Sequence, residues 1–285
     1  MFAIILLLTI DATEDKPLKI DAIAFDLDDT LLRDDLTISP YTLSVLRRAH
    51  ERGIHIIPAS GRTRDSMRGF VEQIGCATCF ISCNGAEVWQ PDMTQLMQEL
   101  LDAVLAREVA RFAESHGCYA QTYAEDCFFY NQEGKWADAY ARSSQLRGVY
   151  VGNLEAYITQ PTPKILVMDD PARIAALLEE ARATFGARVS LTCSKPYFLE
   201  INPLRATKGN ALRWCAHRYG FSMENAMAFG DSLNDLSMLT AAGYGVAVAN
   251  AREDVRAQVA AVCGSNQEDG LAHHIDKHIL EGGNA

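Results

Sequence analysis

The sequence predicts an α/β protein whose core is a Rossmann-like parallel sheet, interrupted by an inserted α/β domain. Three observations predict it. Near the start of the chain, short apolar runs ending in acidic or hydroxyl residues alternate with amphipathic helical segments. The same alternation resumes near the end of the chain. Between the two blocks lie about 110 residues of different, mixed pattern, enough for a second domain.

Taken in order, Ile20 to Leu27 is an apolar run delivering acidic residues at its end, as a buried parallel strand does. Ser39-Pro40 supplies an N-cap and a proline at the first helical position. Leu43, Leu46 and Ala49 then recur at helical spacing until Gly53. Ile54 to Ala59 is the next strand, Asp65 to Ile74 the next helix, and Cys79 to Cys83 a third strand running into Asn84-Gly85. Late in the chain come a helix over Lys208 to Tyr219, a strand over Ala226 to Phe229, a helix over Leu233 to Ala241 and a strand over Tyr244 to Val248. The intervening segment holds helices over Leu101 to His116 and Pro171 to Phe185. Its strands fall near Tyr119 to Tyr123, Cys127 to Tyr130 and Ile165 to Met168. The resulting division is an N-terminal extension over 1–19, a core over 20–86 and 195–285, and a cap over 87–194. An insertion leaving the carboxyl end of a parallel strand emerges beside the crevice where such sheets bind ligands.

A formal net charge of −11 over 285 residues excludes a basic stripe for nucleic acid or an anionic membrane, so any phosphate must be held locally. The eight cysteines lack the dense spacing of a secreted scaffold and read as reduced thiols of a cytoplasmic protein. The apolar stretch Met1 to Ile10 is too short to span a bilayer, and it lacks the flanks of a secretory signal.

The chemistry concentrates at strand ends. Asp26-Leu27-Asp28-Asp29-Thr30 places carboxylates close enough to repel unless a cation or proton relieves them. Gly230-Asp231-Ser232-Leu233-Asn234-Asp235 follows a second apolar strand. By itself it reads as a helix start, with Asp231 as cap and Asp235 in the first turn. Two such clusters opening on one sheet edge could share a hard cation, and magnesium suits carboxylates plus a substrate phosphate. Ser60-Gly61-Arg62 offers a hydroxyl and backbone donors to a phosphoryl oxygen, and Lys208 a point charge beside the carboxylates. Taken alone, a lysine at a helix start is usually just solvated.

In their order these motifs resemble the haloacid dehalogenase superfamily, over nearly all the chain after residue 19. The resemblance implies Asp26 as nucleophile, Asp28 as general acid/base, Ser60 and Lys208 as phosphoryl-binding groups, and Asp231 with Asp235 as the last acidic motif. It implies magnesium held by Asp26, the backbone carbonyl of Asp28, and Asp231, with Asp235 counted among the metal-binding residues. Ser82-Cys83-Asn84-Gly85-Ala86, the run Gly230 to Leu239 and Asn250-Ala251 look like the Cof-type branch, with its cap between the second and third motifs. Thr30, Gly61, Arg62, Asn84 and Asn234 are carried over as substrate-binding positions. Asp29 departs from the branch, where glycine is frequent.

The implied activity is magnesium-dependent hydrolysis of small phosphorylated metabolites. A phosphomutase and a non-catalytic phospho-ligand sensor are the alternatives. No nucleic-acid or membrane partner is expected, and neither the substrate's identity nor the oligomeric state is legible. Cys76 and Cys79 form a CxxC without the second ligand pair a zinc site needs. His273, His274 and His278 read as a solvated helix face, and Gly243-Tyr244-Gly245 as a turn.

Overall fold

Alternation of residue size along the first strand sets the layers. A computed structural model describes residues 19–281; residues 1–18 of the extension expected over 1–19, with its apolar stretch, lie outside the described residues. In the strand Ala22–Phe25 every residue is buried. Ile23 and Phe25 pack on one side with Leu46, Met67 and Ile275, while Ala22 and Ala24 pack on the other with Leu212 and Cys215. Helices therefore cover both faces, and the small alanines admit the helix Lys208–Tyr219 close to the sheet. That sheet is wholly parallel. Its five strands run in the spatial order Ala261–Val262, Tyr244–Ala247, Ala226–Gly230, Ala22–Phe25, His55–Pro58.

The helices begin where capping chemistry puts them. Ser39 Oγ accepts the Thr42 amide at the head of Pro40–Glu51, and Thr207 Oγ1 accepts the Asn210 amide at the head of Lys208–Tyr219. Gly220, at φ 78°, ends the latter in the left-handed region.

Two expected elements differ. Phe80–Ser82 touches the parallel sheet only through an Ala59–Ile81 bridge, and otherwise pairs antiparallel with Glu87–Trp89, which in turn pairs with Gln95–Gln98. The left-handed residues Cys83 (φ 48°) and Asn84 (φ 58°) make that reversal. The helix expected from Leu233 is regular only over Leu236–Leu239. The preceding residues form a turn that folds the Asp235 carboxylate back beneath the amides of Asp231 and Ser232.

The inserted segment builds a six-stranded sheet in the order Val189–Thr192, Phe198–Pro203, Ile165–Met168, Tyr119–Ala124, Cys127–Tyr130, Arg147–Tyr150. Its pairs are antiparallel except the last. One face, with Ile165, Val167, Leu199 and Ile201, packs on the helices Ala103–Ser115 and Pro171–Phe185. The other face carries Leu166 and Met168 with Tyr119, Tyr123 and Tyr140. The strand Phe198–Pro203 pairs within this sheet, although the sequence division at 194/195 assigned it to the core. Its register with Ile165–Met168 carries the chain back to the core only after Pro203. Among the described residues no helix is long and apolar enough to cross a membrane.

Candidate active site

Parallel register brings the strand-end motifs together. Phe25 is level with Phe229 on one side and with Pro58 on the other, so Asp26, Asp231 and Ser60 all leave the sheet at one edge. The Asp26 amide continues the ladder by donating to Phe229 O at 3.1 Å.

Lys208 is fully buried, contrary to the usual fate of a lysine at a helix start. Its Nζ donates to Asp26 Oδ1 at 2.5 Å and to Asp235 Oδ1 at 2.6 Å. Asp235 Oδ2 accepts the amides of Asp231 and Ser232, each at 3.0 Å. Gly230 makes this turn possible, because a Cβ there would lie 2.5 Å from Asp235 Cβ. Thr30 Oγ1 donates to Asp231 Oδ1 at 3.0 Å.

Carboxylate oxygens of Asp26, Asp231 and Asp235 all lie within 4.8 Å of one another. Burial pushes the Asp26 carboxyl well above the usual range. Lys208 opposes this, and the neighbouring carboxylates of Asp235 and Asp231 add to it. Asp231 is pushed up to about 8 by burial and then by Asp235 and Asp29. Burial pulls the Lys208 ammonium down, but Asp235 and Asp26 more than offset it and its pKa rises. Buried carboxylates crowded beyond what one ammonium can neutralise, with oxygen as the only donor, fit a hard divalent cation.

Asp28 faces elsewhere. Its two oxygens accept Arg62 Nε at 2.8 Å and Nη2 at 2.7 Å, a bidentate pair. Burial raises the Asp28 carboxyl, but Arg62 outweighs burial and leaves it below the ordinary range. Ser60 is buried, and its Oγ accepts the Arg62 amide at 3.1 Å, shaping the Ser60-Gly61-Arg62 loop. The Asn84 amide donates to Ser60 O at 3.0 Å, and Asn234 Nδ2 donates to Asn84 Oδ1 at 3.0 Å. The sequence-predicted positions gather at this edge, with Thr30, Asn84, Lys208 and Asp235 set behind the groups that line its cavity.

Several lining residues come from the inserted sheet and had no strand-end signal in the sequence. Lys164 and Glu200, both 2% exposed, form a buried pair at 3.0 Å. Lys164 Nζ also donates to Gly61 O at 2.6 Å, tying the inserted sheet to the loop. Arg62 Nη1 donates to Ser143 O, and Ser66 Oγ to Ser144 O, from the helix Lys135–Ser144. Lys195 pairs with Asp29 at 3.3 Å, so the carboxylate that departs from the Cof-type pattern is partly neutralised. Together these elements enclose a cavity of about 410 Å³. Trp136 and Tyr140 line it. Trp89 does not: it lies against a second cavity, with Nε1 donating to Ser82 Oγ and Glu87 Oε2.

Known proteins resemble this chain over most of its length. The family model for haloacid dehalogenase-like hydrolases matches residues 23–275. A 5-amino-6-(5-phospho-D-ribitylamino)uracil phosphatase of Bacillus subtilis is 30% identical over 270 residues, covering 94% of this chain and 98% of the relative. A pyridoxal phosphate phosphatase of Escherichia coli is 28% identical, covering 90% and 98%. The solved structure of a haloacid dehalogenase-like hydrolase from B. subtilis superposes with a TM-score of 0.83 at 29% identity, covering 92% of this chain and 100% of its own.

Proposed function

This chain belongs to the haloacid dehalogenase-like hydrolases and is a phosphomonoester hydrolase of that superfamily; we propose that it cleaves small phosphorylated metabolites through a phospho-aspartate on Asp26. The observation that carries the reading is the Asp26 carboxylate itself. It is held at a sheet edge by the buried Lys208 and faces a cavity shared with a second acidic cluster. Relatives named for phosphorylated ribitylaminouracil and pyridoxal support a small-molecule substrate.

Asp26 would attack phosphorus as its carboxylate, which Lys208 orients and favours against the opposing effect of burial and of the neighbouring carboxylates. A magnesium ion held by Asp26, Asp231 and the Asp28 carbonyl would, when bound, neutralise charge on the phosphoryl oxygens. Asp235 has its oxygens committed to Lys208 and to two amides, so its part is to position that lysine and the Asp231 loop. Ser60 and Gly61 receive the phosphoryl group, with Asn84 and Asn234 buttressing the loop behind them.

Asp28 protonates the leaving alkoxide and then takes a proton from the attacking water. Its pair with Arg62 favours the ionised form, the one the water step needs; the alkoxide step needs the acid form, so it requires that this pair loosen when substrate is bound. The inserted domain is a cap that selects the ester, and the described cysteines, all free, suit a reducing cytoplasm.

The test is release of inorganic phosphate from a panel of phosphate esters with magnesium, with excess chelator, and in an Asp26→Asn variant. Turnover should require the metal, and Asp26→Asn should lower it more than 10³-fold, about 4 kcal/mol of barrier. A variant retaining a tenth of the rate with its fold intact would move the nucleophile elsewhere.

A further inference from the structure

We infer that the cavity selects phosphate esters whose alcohol carries a planar aromatic or heteroaromatic ring, in preference to sugar phosphates. The inference rests on the phosphatase reading above and names the substrate class of the same site.

Much of the cavity lining is aromatic and apolar. Trp136 and Tyr197 stack with centroids 5.8 Å apart and planes 22° apart, and Phe198 meets Tyr197 edge-on at 4.9 Å. Leu166, Met168 and Tyr140 continue this surface. Leu166 and Met168 alternate with the buried Ile165 and Val167, so strand period fixes them on the cavity side.

The charged groups around the cavity are largely engaged with one another. Arg62 is bound to Asp28 and to Ser143 O, Lys164 to Glu200 and Gly61 O, and Lys195 to Asp29. Glu200 Oε2 and Asn234 Oδ1, on two of the lining residues, lack a hydrogen-bond partner but are themselves buried from solvent. The Glu200 carboxyl is raised by burial but held below its ordinary range chiefly by Lys164, so it stays ionised.

A hexose brings several hydroxyls, each of which must exchange its hydration for a protein partner. With the charged groups paired to one another, the apolar wall offers those hydroxyls no partner. A flat ring needs few such partners. It gains contact and quadrupole interactions with Trp136 and Tyr197.

The experiment compares kcat/KM for benzyl phosphate, cyclohexylmethyl phosphate and glucose 6-phosphate, all esters of primary alcohols. Benzyl phosphate should exceed glucose 6-phosphate by at least about 10-fold, ~1.4 kcal/mol, and should also exceed its saturated counterpart. Trp136→Ala should collapse both ratios toward one. Binding of benzylphosphonate, followed by tryptophan fluorescence, reads the same preference without turnover and in variants that do not turn over.

A preference for glucose 6-phosphate, or a Trp136→Ala variant lowering all three esters by one factor, overturns the inference. Asp26→Asn on the same esters reports separately on the nucleophile. If that variant is inactive while the ratio is reversed, the substrate class alone fails. If it remains active while the ratio holds, the nucleophile alone fails.

Discussion

Replacing Asp235 by asparagine should destabilise the fold by about 3–5 kcal/mol, although it changes one oxygen to nitrogen in a buried side chain. Asp235 Oδ1 accepts Lys208 Nζ, and Oδ2 accepts the amides of Asp231 and Ser232. Asparagine has one acceptor oxygen. Facing the lysine, it turns its NH₂ toward two backbone N–H groups, both of which lose their acceptor. Flipped, it presents its NH₂ to a fully buried ammonium. In the first orientation two amides go unsatisfied, at roughly 1–3 kcal/mol each. In the second, one arm of a buried charge pair is removed, for which about 3–5 kcal/mol is typical. Neither orientation can relax by rotation toward solvent, because Asp235 and Lys208 are both fully buried. Urea unfolding followed by circular dichroism measures the loss as a lower midpoint at unchanged slope. A loss below about 1 kcal/mol would show that these hydrogen bonds do not hold the turn, and the positioning role given to Asp235 would be withdrawn.

Two further outcomes follow from other parts of the molecule. Asp28→Asn should slow phosphoenzyme formation from a sugar phosphate on the order of 10²- to 10⁴-fold, because the alkoxide needs a proton. With para-nitrophenyl phosphate the same variant should give a burst near one equivalent and then stall at the water step. Equal loss on both esters without a burst would make Asp28 structural. His274, half-buried beside Phe229 and His278, is pushed down to about 4 from 6.5 by burial and then by His278 and Lys277. A depressed folded pKa means that protons bind the unfolded chain more tightly, so stability is lost as pH falls from about 6.5 to about 4. Screening at a partly exposed ring reduces the effect to roughly 1–2 kcal/mol. His274→Leu should flatten that acid slope in thermal melts, and an unchanged slope would assign the acid sensitivity to other groups.

What the sequence determined by itself is local. Apolar runs closing on Asp26, Ser60 and Asp231, the cap at Ser39, and the helix Lys208–Tyr219 are each written within a few consecutive residues. The parallel core follows from their alternation, and the motif order carried the family resemblance. Pairing across long separations was decided only by the tertiary structure. Lys208 meets Asp26 across 182 positions, and nothing near Lys208 distinguishes it from a solvated lysine until the sheet places a carboxylate on each side. Arg62 turns to Asp28, Lys164 to Glu200 and Lys195 to Asp29 because strands and loops from separate segments meet at one edge. The same holds for the cap. Trp89 and Trp136 are equivalent in sequence, but one lines the second cavity and the other the cavity that holds the carboxylates. Phe198–Pro203 belongs to the cap sheet because strand pairing is chosen by the register of its neighbours. Periodicity and capping are short-range and survive in a linear reading. Burial and partner choice depend on which surfaces the fold brings face to face.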